Sequence, residues 1–123
     1  MLQVLFDAAA GELATFRQLM VIFIDTAGPM FERLETALRA GRHAQCVHAS
    51  HALAGATMLV GATSLSATLQ EIERQSRQQR QPDLVVLLPL LKQQFHLVMQ
   101  EVEAGLAGLD TPAGTARWRA DGS

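Results

Sequence analysis

Apolar residues recur at intervals of three and four along four separate stretches of this 123-residue chain. This spacing places them on one face of an α-helix, whereas a half-buried strand would need strict alternation. The clearest stretch carries Leu84, Leu87, Leu88, Leu91, Phe95, Val98, Val102 and Leu106. Four amphipathic helices with short connections predict an all-α fold, an antiparallel four-helix bundle.

Glycine and proline mark the breaks between the predicted helices. The first helix is expected over residues 11–40, with a kink or a split near residues 25–28 because Pro29 removes a helical donor. The second is expected over residues 43–60, and the third begins at residue 63 or 64. A short extra N-terminal helix is expected to cover one end of the bundle through Leu2, Val4, Leu5 and Phe6.

The expected bundle spans residues 1–107 and forms a single small domain, for which 49% hydrophobic residues provide enough core. Over residues 108–123 glycine, threonine, proline and charged residues replace the helical periodicity. We predict a disordered tail there, in which Trp118 is an isolated exception.

The second predicted helix contains His51, the residue of most chemical interest. The predicted buried stripe of this helix lies on the opposite side, so we expect an exposed imidazole, which is a nucleophile at neutral pH. Gly55, one turn later, leaves space for a bulky group to approach the ring. Gly61 suits the left-handed conformation that ends a helix. The predicted stripe comprises Cys46, Ala49, Leu53, Ala56 and Val60.

These residues form a motif that resembles the signature of histidine phosphotransfer (HPt) domains of multistep phosphorelays. The family signature is H-x-L-K-G with a second glycine six residues later, and the chain has His51-Ala52-Leu53-Ala54-Gly55 followed by Gly61. Glu71 and Glu73 lie where these domains usually carry an acidic residue, about twenty positions after the histidine. The resemblance covers roughly residues 10–106, and it departs from the family at Ala54, which replaces the usual lysine.

The resemblance implies that His51 is the phosphoacceptor and exchanges its phosphoryl group with the aspartate of a response-regulator receiver domain. It implies a Mg²⁺ ion on the receiver, no cofactor on this chain, and a sensor kinase as the source of phosphate. The chain would then be a phosphocarrier rather than an autonomous enzyme. It would be either free-standing or the C-terminal domain of a hybrid sensor histidine kinase.

The neighbours of His51 each have two interpretations. Arg74 or Arg77 would replace the cation that is missing at Ala54, or would form a solvated basic helix end. His48, one turn before His51, would donate a hydrogen bond to the phosphoryl group, or would be an ordinary surface residue.

Three apolar residues outside the predicted stripe, Val47, Met58 and Leu59, suggest a surface for docking a partner. The alternative is that the extra N-terminal helix covers them. A second class of function follows from the missing lysine, namely an HPt-fold interaction module that regulates a partner by docking without carrying phosphate. The retention of His51 favours phosphotransfer.

Charge and composition exclude other classes. A net charge of −2 with scattered basic residues does not suit nucleic acid. No apolar run is long enough to span a membrane, so we expect a cytoplasmic protein, free or tethered to the inner membrane through a parent kinase. The single Cys46 permits no internal disulfide. The histidines lack the spacing of a metal site, and no nucleotide-binding signature is present.

Overall fold

Six α-helices make up the chain in the computed structural model, which describes residues 1–122 and the side chains of residues 1–119. No strand occurs in residues 1–122. The long helices α2 to α5 form the predicted bundle, in which α3 packs on α2 and α4, and α5 packs on α2 and α4. The helices are α1 Gln3–Ala8, α2 Leu13–Ala40, α3 His43–Leu59, α4 Thr63–Arg77, α5 Leu84–Gly108 and α6 Pro112–Gly122.

The predicted N-terminal helix is confirmed as α1, which covers one end of the bundle. Leu5 and Phe6 are buried, and Leu2 just before the helix is also buried. Val4 points away from the core and is 51% exposed. Three of the four expected apolar residues therefore belong to the core.

The C-terminal segment forms the helix α6, so the prediction of a disordered tail is wrong for residues 112–122. Trp118 is buried and packs against Phe6 and Phe16, with ring centroids 4.9 and 4.8 Å apart. Just before the helix, Asp110 accepts a hydrogen bond from Arg17 at 2.8 Å. The ring of Trp118 supplies the apolar area that docks this segment on the bundle. A single buried residue produces no helical periodicity, so the sequence pattern did not reveal the helix. Ser123 and the side chains of residues 120–122 lie outside the described part.

The first long helix is not divided at Pro29, so the predicted split does not occur. Pro29 has no amide hydrogen and leaves one carbonyl group of the preceding turn without its helical partner. Ala27 and Phe31 are nevertheless buried on either side of it. Phe31 also stacks on Phe95 of α5, with ring centroids 4.5 Å apart. Packing on both sides of the proline holds the two halves in one helix.

The buried face of α3 is rotated from the predicted stripe towards α4. Cys46, Leu53 and Val60 are buried as predicted, whereas Ala49 and Ala56 are only partly buried. The buried residues outside the predicted stripe are Ser50, Ala54 and Thr57. The pattern missed the two hydroxyl residues because it treats serine and threonine as polar. Both bond to the carbonyl groups of their own helix, and Thr57 also lies 2.8 Å from Ser66 of α4. Each of these two buried hydroxyl groups therefore has a hydrogen-bond partner.

Replacing Trp118 with alanine tests the docking of α6. We expect the free energy of unfolding to fall by about 3 kcal/mol, because a buried aromatic ring is lost from the core. Urea denaturation followed by circular dichroism measures this change. Arg119→Ala, at an exposed neighbouring position, is the matched control and should leave stability nearly unchanged. Equal stability of the two variants would contradict the docked position of α6.

Candidate functional site

His51 lies in the middle of α3, and its side chain is 75% exposed, as the helical phase predicts. Nδ1 of the ring lies 2.8 Å from Oε1 of Glu73, which the neighbouring helix α4 carries. Among the described residues, Glu73 is the hydrogen-bond partner of the ring, at Nδ1, and no hydrogen bond reaches Nε2. The imidazole is thus held at one nitrogen and open at the other.

Glu73 uses both of its carboxylate oxygens, and its side chain is only 17% exposed. Oε1 contacts His51, and Oε2 accepts a hydrogen bond from Nε of Arg77 at 3.2 Å. Burial raises the pKa of Glu73, but the interactions with His51 and Arg77 outweigh this effect. The pKa of Glu73 therefore lies below the ordinary value of a glutamate. The carboxyl group is therefore ionised at neutral pH.

An ionised carboxylate at Nδ1 determines which ring nitrogen carries the hydrogen. A carboxylate only accepts hydrogen bonds, so Nδ1 is the donor in its contact with Glu73. In the neutral ring of His51 the lone pair is then on Nε2. The geometry presents a nucleophilic nitrogen on the exposed side of α3.

The two arginines predicted near the site occupy different surroundings. Arg77 contacts Glu73 and so joins the group around His51. Arg74 instead donates to both oxygens of Glu71. These bonds from Arg74, with a smaller contribution from Gln75, lower the pKa of Glu71 to about 2. The structure therefore brings Arg77, and not Arg74, to the acidic partner of the histidine.

The remaining predicted neighbours of His51 differ in accessibility. Ala54 is buried, at 5% exposure, and its carbonyl accepts a hydrogen bond from Thr57. Gly55 is exposed, and a Cβ atom added to it would meet nothing within 4 Å among the described residues, apart from the backbone of its own helix. His48 is exposed and lines a groove between α2 and α3 together with Arg33. An open approach over Gly55 agrees with the space that the sequence predicts there.

Two of the three predicted docking residues remain accessible, and both lie at the C-terminal end of α3. Met58 and Leu59 are 52% and 48% exposed, whereas Val47 is partly buried. The sulfur of Met58 accepts a hydrogen bond from Gln70 of α4 at 3.6 Å. The N-terminal helix leaves Met58 and Leu59 uncovered, so the alternative in which it hides this surface does not occur in the described structure.

The second glycine of the motif is required by the backbone. Gly61 follows the end of α3 with a φ of +81°. Its amide donates to the carbonyl of Met58 at 3.0 Å, and the next amide, of Ala62, donates to Thr57 at 2.9 Å, which is the Schellman pattern of helix ends. A Cβ atom at this position would collide with the carbonyl group of Met1. The predicted role of Gly61 in ending the helix is confirmed.

Sequence reasoning left Glu73 out of the predicted site residues. The signal was present, because Glu73 lies 22 residues after His51 and the resemblance placed an acidic residue in that region. The choice between Glu71 and Glu73 depends on the rotation of α4 against α3, which the sequence pattern did not supply.

Two other kinds of site, a metal centre and a membrane-spanning helix, do not occur in the described part of the chain. No group of three or more histidine, cysteine, aspartate or glutamate side chains there is arranged to hold a metal ion. Within the same residues, no helix combines the length and the apolar character needed to cross a bilayer.

Comparison with known proteins identifies the class of this chain. The model of the Hpt domain family matches residues 18–105, so the chain belongs to the Hpt domain family, whose role is histidine phosphotransfer in phosphorelays. No curated protein matches the sequence.

A solved structure supports the same fold. The chain is similar to the crystal structure of histidine-containing phosphotransfer protein B (HptB) from Pseudomonas aeruginosa PAO1, with a TM-score of 0.77 and 20% sequence identity. The match covers 85% of this chain and 91% of HptB. At this identity the likeness establishes the fold of the bundle.

The two glycines of the motif provide a matched pair of substitutions. Gly61→Ala should lower the free energy of unfolding by at least about 1 kcal/mol, because alanine is strained at positive φ and its Cβ meets backbone. Gly55→Ala should raise it by up to about 1 kcal/mol, because alanine is the better helix former in open space. Urea denaturation measures both. Equal effects of the two substitutions would contradict this assignment.

Proposed function

We propose that His51 accepts a phosphoryl group on Nε2 and exchanges it with the aspartate of a response-regulator receiver domain. The observation that carries this proposal is the hydrogen bond of 2.8 Å between Nδ1 and Glu73 on an otherwise exposed ring. It leaves the lone pair of Nε2 available where a partner can reach it. Membership of the Hpt domain family supports the same chemistry.

The reaction moves one phosphoryl group between two nucleophiles. The lone pair of Nε2 attacks the phosphorus atom of an aspartyl phosphate, the bond between phosphorus and the aspartate oxygen breaks, and that oxygen leaves with the bonding electrons as a carboxylate. Alignment and charge stabilisation contribute most of the catalysis in such a loose transition state. A small helical domain therefore needs only to present the ring of His51 in the right orientation.

Glu73 contributes to both directions of the transfer. When Nε2 bonds to phosphorus while Nδ1 keeps its hydrogen, the ring becomes positively charged. The carboxylate of Glu73 stabilises that charge, as the acidic partner of a catalytic histidine does in enzymes. In the reverse direction the retained hydrogen lets the ring leave as a neutral imidazole, which is the better leaving group.

The proposed partners are a receiver domain and the sensor kinase that supplies its phosphate. The receiver would carry the Mg²⁺ ion, and this chain would need no cofactor of its own. The exposed side chains of Met58 and Leu59, with the open surface at Gly55 between them and His51, support docking on this face. Val47 would contribute only at the edge, because it is partly buried.

The first experiment follows labelled phosphate from a panel of phosphorylated receiver domains to this chain. Wild type should take up label and His51→Gln should not, because glutamine has no nucleophilic nitrogen. His48→Gln is the matched control on the same helix and should still be labelled. A wild type that binds a receiver but takes no label would favour the docking module instead, and labelling of His51→Gln would place the phosphoacceptor elsewhere.

Glu73→Gln tests the role of the acidic partner. The amide keeps the shape of the side chain but removes the charge that stabilises the ring cation. We expect transfer to His51 to slow by about tenfold, the equivalent of about 1.4 kcal/mol for a charged hydrogen bond. Single-turnover kinetics measure the rate, with Glu71→Gln as the control on the same helix. Equal rates for the two variants would contradict the proposed role of Glu73.

A further inference from the structure

Three side chains form one continuous line of hydrogen bonds across the surface between α3 and α4. Nε of Arg77 donates to Oε2 of Glu73 at 3.2 Å, and Oε1 of the same carboxylate lies 2.8 Å from Nδ1 of His51. The guanidinium and the imidazole thus occupy different oxygens of one carboxylate. Arg77 reaches the histidine only through Glu73.

We propose that Arg77 is a positioning residue for His51, which acts by holding the carboxylate of Glu73 rather than by contacting the phosphoryl group. The proposal rests on the proposed function of His51. It adds a residue that orients the site in the free domain, before the receiver binds. It also assigns the basic end of α4 a task other than solvation.

The freedom of the glutamate side chain is the first reason. A glutamate has several rotatable bonds, and one hydrogen bond from a largely exposed ring does little to fix them. The second donor, on Oε2, restricts rotation of the carboxylate and keeps Oε1 directed at Nδ1. Since Glu73 is the hydrogen-bond partner of His51 among the described residues, the orientation of the ring depends on that of the carboxylate.

Charge is the second reason. Glu73 places a negative charge beside the ring that must receive an anionic phosphoryl group, and like charges at this range repel each other. The guanidinium of Arg77 offsets that charge from the oxygen that faces away from the ring. The carboxylate can then serve as the acceptor for Nδ1 with less repulsion of the incoming group.

Arg74 supplies a control of the same chemistry on the same helix. Its side chain is 53% exposed, against 60% for Arg77, and it pairs with Glu71 instead of Glu73. A general effect of losing one positive charge or one surface ion pair from α4 would appear equally in Arg74→Gln and Arg77→Gln. An effect confined to Arg77→Gln must come from its particular contact.

The first measurement needs no partner protein. Nitrogen chemical shifts of the His51 ring, recorded by long-range ¹H–¹⁵N NMR on the full chain at neutral pH, report which ring nitrogen carries the hydrogen. In wild type and Arg74→Gln the Nδ1–H form should dominate. In Arg77→Gln the shifts should move towards a mixture of the two tautomers. Identical ring shifts in wild type and Arg77→Gln would overturn the proposal.

The second measurement separates action through Glu73 from direct contact with phosphate. Phosphoramidate, a small phosphoryl donor, and a phosphorylated receiver domain are each used to label His51. Arg77→Gln should slow labelling by about two- to fivefold, the range of an exposed ion pair, and Arg74→Gln should not. Added to Glu73→Gln, the Arg77 substitution should cause no further loss. A further loss in that background would overturn the proposal in favour of direct contact.

The two measurements distinguish failure of the proposed function of His51 from failure of the proposed role of Arg77. If wild type accepts no label from either donor, the proposed function of His51 fails, while the ring shifts still decide whether Arg77 positions the imidazole. If wild type is labelled and Arg77→Gln is labelled equally fast, phosphotransfer stands and the role of Arg77 is refuted.

Discussion

The close contact between α3 and α4 determines the geometry of the site. At the buried part of this contact two small residues meet, since Thr57 of α3 lies 2.8 Å from Ser66 of α4 through their hydroxyl groups. Short side chains let two helices approach closely, and the hydroxyls are satisfied by hydrogen bonds to their own backbones. His51 and Glu73 are 22 positions apart, so only this packing can bring Oε1 within reach of Nδ1. A bulkier residue in the contact would separate the two helices and break the hydrogen bond.

The two glycines of the motif are needed for different reasons. Gly61 is fixed by the chain itself, since its positive φ and the nearby Met1 carbonyl leave no room for a side chain. Gly55 meets no such restriction within the described residues, where a Cβ atom would find open space. An interior glycine costs a helix about 1 kcal/mol relative to alanine. Since no contact among the described residues explains that cost, a requirement from outside the chain, such as the approach of a partner, is the better explanation.

Much of the fold could be predicted from the sequence because helical periodicity directly encodes which faces are buried. The periodicity of Leu88, Leu91, Val98 and Val102 reappears as the buried face of α5. It failed where burial does not follow apolar pattern: Ser50 and Thr57 are polar but buried, and Trp118 docks α6 without any periodic neighbours. The exposure of His51 was predictable from its phase alone. Its pairing with Glu73 was not, because that depends on how α4 is rotated against α3.

The alanine at position 54 leaves the site without the positive charge that the family usually places there. It is buried, so a lysine in its place would have to extend from the buried face of α3 to bring its ammonium group to the surface, as long basic side chains do. The present chain has no cation at that position, and the arginine nearest to the acidic partner, Arg77, is engaged on the far oxygen of Glu73. Neither residue then provides a positive charge directed at Nε2. In a transfer of the kind proposed, this domain would therefore contribute mainly the orientation of the ring, and stabilisation of the phosphoryl charge would fall to the proposed receiver.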